Sequence, residues 1–526
     1  MSGNPVQNPF LGRLNPPDPG GVARLHSGTD EQEFLWERLL RSDANVLIEA
    51  RAGTGKSAFC REGQWRLLEK QKLAIRYAVF NKANADEFRS SCPPGVDVGT
   101  IHSFGFAALK KSFNSELEKN KTYLIIDQLP TAHRIPRYLR RAIAQLVGQA
   151  KNQGIVPPDS GDFCPDLDNQ LQALIAHYDI NTWGKDGQVA EIAQEVLARS
   201  ADMTDLVDFD DMLWLPGLHC EEINFPHCDI LFLDEVQDLN PAQLNLLPAF
   251  CRSGRVVAVG DRWQAIYAFR GADVESMDKL SGLLQRKDNG MESGKLTVTW
   301  RCPKSHIRLA QQYVPDIQAH ANAKEGTTGR IMEGDAIGKY APGDMVLCPT
   351  NAPLVSTALK LIQMRRRAFV RGRAIGDSLV NLVRSCGEQR TISSLSAAVE
   401  KWRHRELARL TEKDGMEDVV EAVQDRAASV EAILSTCDSP GEVEPRIREL
   451  FSESGPAGDC VLLSTVHRAK GLEANSVYLI ESPTREAKTS WEAQQKLNLR
   501  YVALTRSKDS LVFVHLEPKE KEQVIA

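Results

Sequence analysis

Val46-Leu47-Ile48-Glu49-Ala50-Arg51-Ala52-Gly53-Thr54-Gly55-Lys56-Ser57 is the stretch whose reading decides the fold. Val46 to Ile48 predict a buried strand, Gly53 and Gly55 allow a tight turn, and Lys56-Ser57 opens a helix that runs on through Ala58. A strand, glycine loop and helix in that order make a phosphate cradle. Loop N–H groups and the positive end of the helix face an anion, Lys56 reaches the outer phosphates, and the Ser57 hydroxyl is placed to hold Mg²⁺. The general spacing is G-x-x-x-x-G-K-[ST], and its first glycine is here Ala50. Residues 52–57 (Ala52, Gly53, Thr54, Gly55, Lys56, Ser57) are therefore the expected nucleotide-phosphate loop.

The chain has 526 residues, enough for three or four domains at about 150 residues each. With 42% apolar and 25% charged residues it reads as an ordinary globular chain, and no apolar run of about 18 residues offers a membrane span. The polar, Pro-rich N-terminus lacks a secretory apolar core. Eleven cysteines without a CxxC pair predict reduced thiols in a cytoplasmic setting (a microbial or viral host cytosol), not a disulfide framework, zinc site or iron–sulfur cluster. Net charge is −6, so any nucleic-acid track must be local. Two basic runs qualify: His133-Arg134 with Arg137, Arg140 and Arg141, and Arg365-Arg366-Arg367 with Arg371 and Arg373. Each serves equally well as a solvated helix face or strand end.

Residues 1–24 read as a flexible tail, and Thr29 to Gln32 as a capping box opening a helix. Strands are expected at 74–80, 98–101, 230–233 and 256–260, then at 296–299, 345–347, 461–465, 477–480 and 511–514. Their alternation with helices predicts an α/β fold of two doubly wound parallel-sheet domains. The first is expected over 25–104 and 226–290, interrupted by a helical insertion at 105–225; the second over 291–379 and 459–526, interrupted by a shorter helical insertion at 380–458. Neither a short-period repeat nor a low-complexity tract is present.

Ile230-Leu231-Phe232-Leu233-Asp234-Glu235 is an apolar strand delivering two carboxylates at its C-terminal end, where open α/β sheets bind ligands. Asp234 suits Mg²⁺, and Glu235 suits orientation and deprotonation of an attacking water. With the Lys56 loop the pair completes a nucleotide hydrolysis site.

Four blocks carry a family resemblance. They are Asp234-Glu235-Val236-Gln237-Asp238; Val259-Gly260-Asp261-Arg262-Trp263-Gln264-Ala265-Ile266-Tyr267-Ala268-Phe269-Arg270-Gly271-Ala272; Thr465-Val466-His467-Arg468-Ala469-Lys470-Gly471-Leu472-Glu473; and Tyr501-Val502-Ala503-Leu504-Thr505-Arg506. In this order they resemble superfamily 1 helicases of the UvrD/Rep/PcrA group, whose fold is a pair of RecA-like (P-loop NTPase) domains with two mainly helical inserted subdomains. The resemblance implies ATP and Mg²⁺ as cofactors, with Ser57 and Asp234 at the metal and Lys56, Asp234, Glu235, Gln264, Arg270 and Arg506 catalytic. It further implies that Gln32 reads the adenine edge, Trp300 stacks on adenine where the family usually has Tyr, Arg301 joins the γ-phosphate arginines and Glu473 binds the ribose. Phe80, Thr100, His102, Tyr267, Phe269 and His467 are the implied DNA contacts, Phe80 being offset from the family pattern.

The Gln264-to-Ala272 block resembles the 3′→5′ branch of that group. The expected function is a 3′→5′ translocase or helicase acting on single-stranded and tailed duplex DNA, without a membrane partner. The shortened second insertion leaves room for a translocase that depends on a protein partner, such as a nuclease or a replication or repair factor. A non-catalytic nucleotide-gated scaffold is the contrasting class, and intact Lys56, Asp234, Glu235 and Arg506 speak against it.

Overall fold

Val46, Ile48 and Ala50 pack inward from Asn45–Ala50 (β1), and the parallel strands on either side of it extend the first sheet. A computed structural model describes residues 27–79, 81–158, 164–178, 180–223, 225–251, 254–266, 275–286, 289–411, 417–452, 460–481, 487 and 490–516. The expected tail at 1–24 lies outside the described residues. The chain divides between Val298 and Thr299 into two units.

In the first unit, Ile75–Val79 (β2), Asp97–Thr100 (β3), Ile230–Asp234 (β4), Arg255–Gly260 (β5) and Met291–Leu296 (β6) join β1 in the order β3-β2-β4-β5-β1-β6, all pairs parallel. Every residue of β4 and β5 is buried, as in a parallel sheet covered on both faces. The order leaves β5 between β1 and β4. The loop after β1 and the carboxylates after β4 thus meet across the end of β5.

Residues 296–299 were expected to open the second sheet, and this is corrected. Met291–Leu296 is an edge strand of the first sheet, in register from Asn45↔Met291 to Ala50↔Leu296. Its sequence, Met-Glu-Ser-Gly-Lys-Leu, has little apolar signal because one side of an edge strand faces water. Gly294 lets the helix Asp30–Arg41 (α1) pack close, since a Cβ there would come 2.4 Å from Leu35 Cδ2 and force that side chain to shift.

Between β3 and β4 run the helices Ile101–Phe113 (α2), Lys121–Gln128 (α3), Arg137–Asn152 (α4), Pro165–His177 (α5), Asp186–Asp202 (α6) and Asp211–Leu218 (α7). They enclose a separate apolar core built on residues such as Leu139, Ile143, Leu171, Val196 and Trp214. Inside it lies a charged cluster. Lys121 Nζ is 2.8 Å from Asp211 Oδ2, and Lys151 Nζ is 2.7 Å from Asp211 Oδ1 and 2.8 Å from Asp208 Oδ2. Both ammonium groups are fully buried, and Lys121 also donates to the carbonyls of Ser200 and Met203. Next to this cluster Asp210 accepts from Asn152 Nδ2 at 2.9 Å, and Asn152 Oδ1 accepts from Asn240, the N-cap of the helix Pro241–Phe250 (α8).

In the second unit seven parallel strands are arranged as β7 (Thr327–Met332), β13 (Ser507–His515), β12 (Ala474–Glu481), β8 (Met345–Cys348), β11 (Val461–Thr465), β9 (Ala368–Arg371) and β10 (Phe451–Ser452). The helices Ala352–Gln363 (α9), Arg373–Ser385 (α10), Ile392–Thr411 (α11), Glu417–Leu434 (α12) and Val443–Leu450 (α13) share one core with that sheet. Leu395, Val399, Ala427 and Val430 belong to the same cluster as Val346 and Leu463. A carboxylate adds a polar tie: Asp425 on α12 accepts from the N–H groups of Asn351 and Ala352 at 2.9 and 2.7 Å, capping α9 from outside its own sequence.

Two stability measurements follow. Asp425→Ala removes a charged cap and is expected to lower the unfolding free energy of the second unit by about 1–2 kcal/mol in chemical denaturation. Burial and the neighbouring Asp208 push the Asp210 carboxyl up to about 6. A raised carboxyl costs stability as pH rises above its unfolded pKa, and the whole cost is present once pH exceeds the folded value. Asp210→Asn is therefore expected to match the native chain below about pH 4 and to exceed it by about 3 kcal/mol well above pH 6 in chemical denaturation.

Candidate nucleotide and phosphate site

The loop after β1 has Gly53 at φ +71° and Gly55 at φ +82°, both left-handed, and Gly55 leads into the helix Lys56–Lys70. A Cβ on Gly55 would lie 3.3 Å from Gln32 Nε2, so the close approach of α1 to the loop also needs glycine. Gln32 is buried; its Nε2 donates to the Thr54 carbonyl at 3.1 Å, and its Oε1 accepts from Thr29 N–H at 3.0 Å. The residue implied to read an adenine edge is here a capping-box member bonded to the phosphate loop.

At the end of β4, Asp234 Oδ2 accepts from Ser57 Oγ at 2.9 Å and from Tyr77 OH at 3.0 Å, while its Oδ1 accepts from Glu235 N–H at 2.9 Å. Lys56 Nζ lies 2.9 Å from Glu235 Oε2. Glu235 has φ +54°, a left-handed conformation that costs a non-glycine residue about 1 kcal/mol or more. That turn lets adjacent carboxylates serve different partners, Asp234 facing Ser57 and Glu235 facing Lys56. Gln237 links the next strand end: its amide donates to Glu235 Oε2 and its Oε1 accepts from Asp261 N–H at 2.9 Å. Asp261, which follows β5, accepts from Gln264 Nε2 at 2.7 Å, and Arg51 NH1 lies 3.6 Å away.

Burial disfavours charge on Lys56, but Glu235, Asp261 and Asp234 outweigh it and hold the ammonium above its usual pKa. Burial, with Glu235 adjacent, raises the Asp234 carboxyl against the pull of Lys56. Burial and the Asp234 charge keep the Tyr77 phenol protonated, so it remains a donor. A hydroxyl and a carboxylate converging at one point are hard oxygen ligands of the number Mg²⁺ takes from protein when phosphates and water fill its other positions. The residues fit a magnesium-bound nucleotide phosphate.

Several implied residues lie in the second unit. Arg301 Nε pairs with Glu473 Oε2 at 2.5 Å, and Lys508 pairs with the other oxygen. Burial works against charge on Glu473, yet these two cations hold its carboxyl below the usual range. Trp300 stacks on His320, ring centroids 3.8 Å apart. Arg506 is buried, its guanidinium donating to the carbonyls of Val502 at 2.9 Å and Leu472 at 3.3 Å. His467 is half-buried after β11.

In the first unit Thr100 is a helix cap, its Oγ1 accepting from Ser103 N–H at 3.1 Å. Burial holds the half-buried His102 below the usual imidazole pKa. Phe80, Tyr267, Phe269 and Arg270 lie outside the described residues. Sequence reasoning missed roles for Tyr77, Gln237, Asp261 and Arg51. Asp261 had a usable signal, since it follows a buried strand just as Asp234 ends one.

A phosphate loop with paired carboxylates two strands away defines a P-loop nucleotide-binding domain. Residues 32–285 match the UvrD/REP helicase N-terminal domain, and residues 416–517 match the UvrD-like helicase C-terminal domain. The chain belongs to the UvrD-like helicase family. It is 23% identical to F-box DNA helicase 1 of Gallus gallus over 92% of this chain and 48% of that protein. It is 23% identical to F-box DNA helicase protein 1 of Schizosaccharomyces pombe over 92% and 57%. Against DNA helicase II of Haemophilus influenzae the identity is 22% over 61% and 44%. The chain spans about half the length of these relatives.

Tyr77→Phe removes one donor to Asp234 and leaves the ring. It is expected to raise the Mg²⁺ concentration needed for tight binding of a fluorescent ADP analogue about 10-fold or more, as supporting hydrogen bonds to metal ligands typically do.

Proposed function

We propose that this chain is an ATP-driven DNA motor moving 3′→5′ along single-stranded DNA and opening tailed duplexes. The observation that carries the reading is the joint placement of Lys56 on Glu235 and Ser57 on Asp234. A γ-phosphate offers Lys56 a stronger partner than Glu235 does. The carboxylate so released is free to orient water and take its proton. Gln237 and Gln264 report that exchange to the end of β5 through Asp261. Ser57 and Asp234 would hold magnesium, which would supply charge neutralisation on the phosphates.

Arg270, Arg301 and Arg506 supply further positive charge, a contribution typically worth ~10³–10⁵ in rate for a well-placed arginine. Trp300 and Glu473 are assigned to the base and ribose, with Gln32 at the adenine edge. Phe80, Thr100, His102, Tyr267, Phe269 and His467 are assigned to the strand; stacking on the aromatic ones tolerates any base. DNA as the track is supported by the names of these three relatives, each a DNA helicase. Among the described residues no helix is long and apolar enough to cross a membrane.

One observation favours a second reading, in which the motor translocates without opening duplexes unless a nuclease or a repair or replication factor joins it. Helices α11 and α12 contribute Leu395, Val399, Ala427 and Val430 to the core of the second sheet, which ties the inner part of the insertion to that sheet, while a smaller cluster around Val423 and Trp402 packs the two helices on each other.

ATP hydrolysis with and without a single-stranded oligonucleotide tests the proposal. Strong stimulation is expected, with a loss of about 10²–10⁴ in Glu235→Gln. Strand displacement from 3′-tailed but not 5′-tailed duplexes establishes the helicase. Stimulation without displacement selects the second reading, and absence of stimulation sinks the motor.

A further inference from the structure

On the helical insertion of the first unit, far in sequence from every residue assigned above to ATP or the strand, Tyr138 and Trp183 stand exposed at 41% and 53% with ring centroids 4.7 Å apart and planes at 64°. Edge-to-face packing engages one ring's edge and leaves ring faces uncovered. Trp183 is set outward by an unusual backbone, at φ +55° beside Gly184 at φ +76°. The chain thus holds a large aromatic in water where Gly or Asn would be conformationally easier.

Around Tyr138 the exposed residues are basic. Arg137 and Arg141 are neighbours one turn apart on α4, Tyr138 and Arg141 are three apart on the same side, and Arg134 precedes the helix. Among the described residues no carboxylate lies within ion-pair distance of Arg134, Arg137 or Arg141. The nearby acids are engaged: Asp127 is bound by Arg140, and Asp186 by the Thr182 hydroxyl. The helix gains nothing from cations in its first turn, because they oppose its dipole. A chain of net charge −6 therefore collects arginines that face no carboxylate among the described residues beside open aromatic faces, Arg134 donating to His133 Nε2 at 3.2 Å.

We propose that this patch binds a second segment of single-stranded polynucleotide, apart from the motor track. Unpaired bases stack on Tyr138 and Trp183, and phosphates pair with Arg134, Arg137 and Arg141. Duplex is the poorer occupant, since its bases present no free faces to the rings, and an acidic protein surface would use the arginines but not the stacking. The inference goes beyond the motor reading and does not rest on it.

The test is equilibrium binding by the full chain, without nucleotide, of a labelled long oligothymidylate and of a blunt duplex of equal length across a salt series. Tyr138→Ala/Trp183→Ala is expected to weaken oligothymidylate binding about 10-fold or more. Tyr138→Phe/Trp183→Phe is expected to restore it. Arg137→Ala/Arg141→Ala is expected to flatten the slope of log K against log salt by about 1.4, two phosphates at about 0.7 each for a single strand. DNA-stimulated ATP hydrolysis at saturating oligonucleotide should persist in all three variants, which separates this surface from the track. Unchanged affinity and slope overturn the proposal, and so does an equal loss on blunt duplex, which would make the patch a duplex surface. If the native chain shows no stimulated hydrolysis, the motor reading fails while the binding comparison still decides this one.

Discussion

A lysine ammonium taken out of water must be compensated nearby, and in this chain that demand organises the candidate site. Lys56 is nearly buried and sits 2.9 Å from Glu235, with Asp234 and Asp261 close enough to hold its charge. Those three carboxylates stand at the ends of two neighbouring strands, which the parallel order of the sheet brings beside β1. The set carries more carboxylate than ammonium. Asp234 registers the crowding in a raised pKa, to which burial contributes most and the adjacent Glu235 next. The left-handed turn at Glu235 belongs to the same constraint, because without it consecutive carboxylates on a strand end would not address Ser57 and Lys56 separately.

What was legible in the sequence is what local chemistry dictates. Gly53 and Gly55, the apolar run before Asp234, and the capping pair Thr29 and Gln32 each act through neighbours in sequence, and each is found as read. What was not legible depends on long-range packing. The strand Met291–Leu296 looks polar because it is an edge, and only its register on β1 reveals it. Tyr77 falls within the expected strand at 74–80, and its hydroxyl acquires meaning only when β2 pairs with β4. Arg506 reads as a lone charge, and its hydrogen bond to the Leu472 carbonyl, 34 residues away in sequence, shows only in the fold.

Basic runs show the same division. Arg140 and Arg366 belong to the architecture, the first binding Asp127 and the Ala132 carbonyl, the second gathering the carbonyls of Ile337, Gly338 and Tyr340. Counting charges in a sequence cannot separate these from Arg137 and Arg141 on the same stretch. Ion-pair and carbonyl partners can.

The common core of the second sheet and its helices carries an evolutionary consequence. A subdomain joined by linkers can be lost in one deletion, because the cut ends reseal and the host core stays covered. Here Leu395, Val399 and Val430 pack in the same cluster as Val346 and Leu463, so excising α11 and α12 would lay bare apolar surface and leave the start of α9 uncapped. Any shortening here would have to proceed by compensated substitution, residue by residue, and the inward faces of α11 and α12 should drift in step with the strands beneath them.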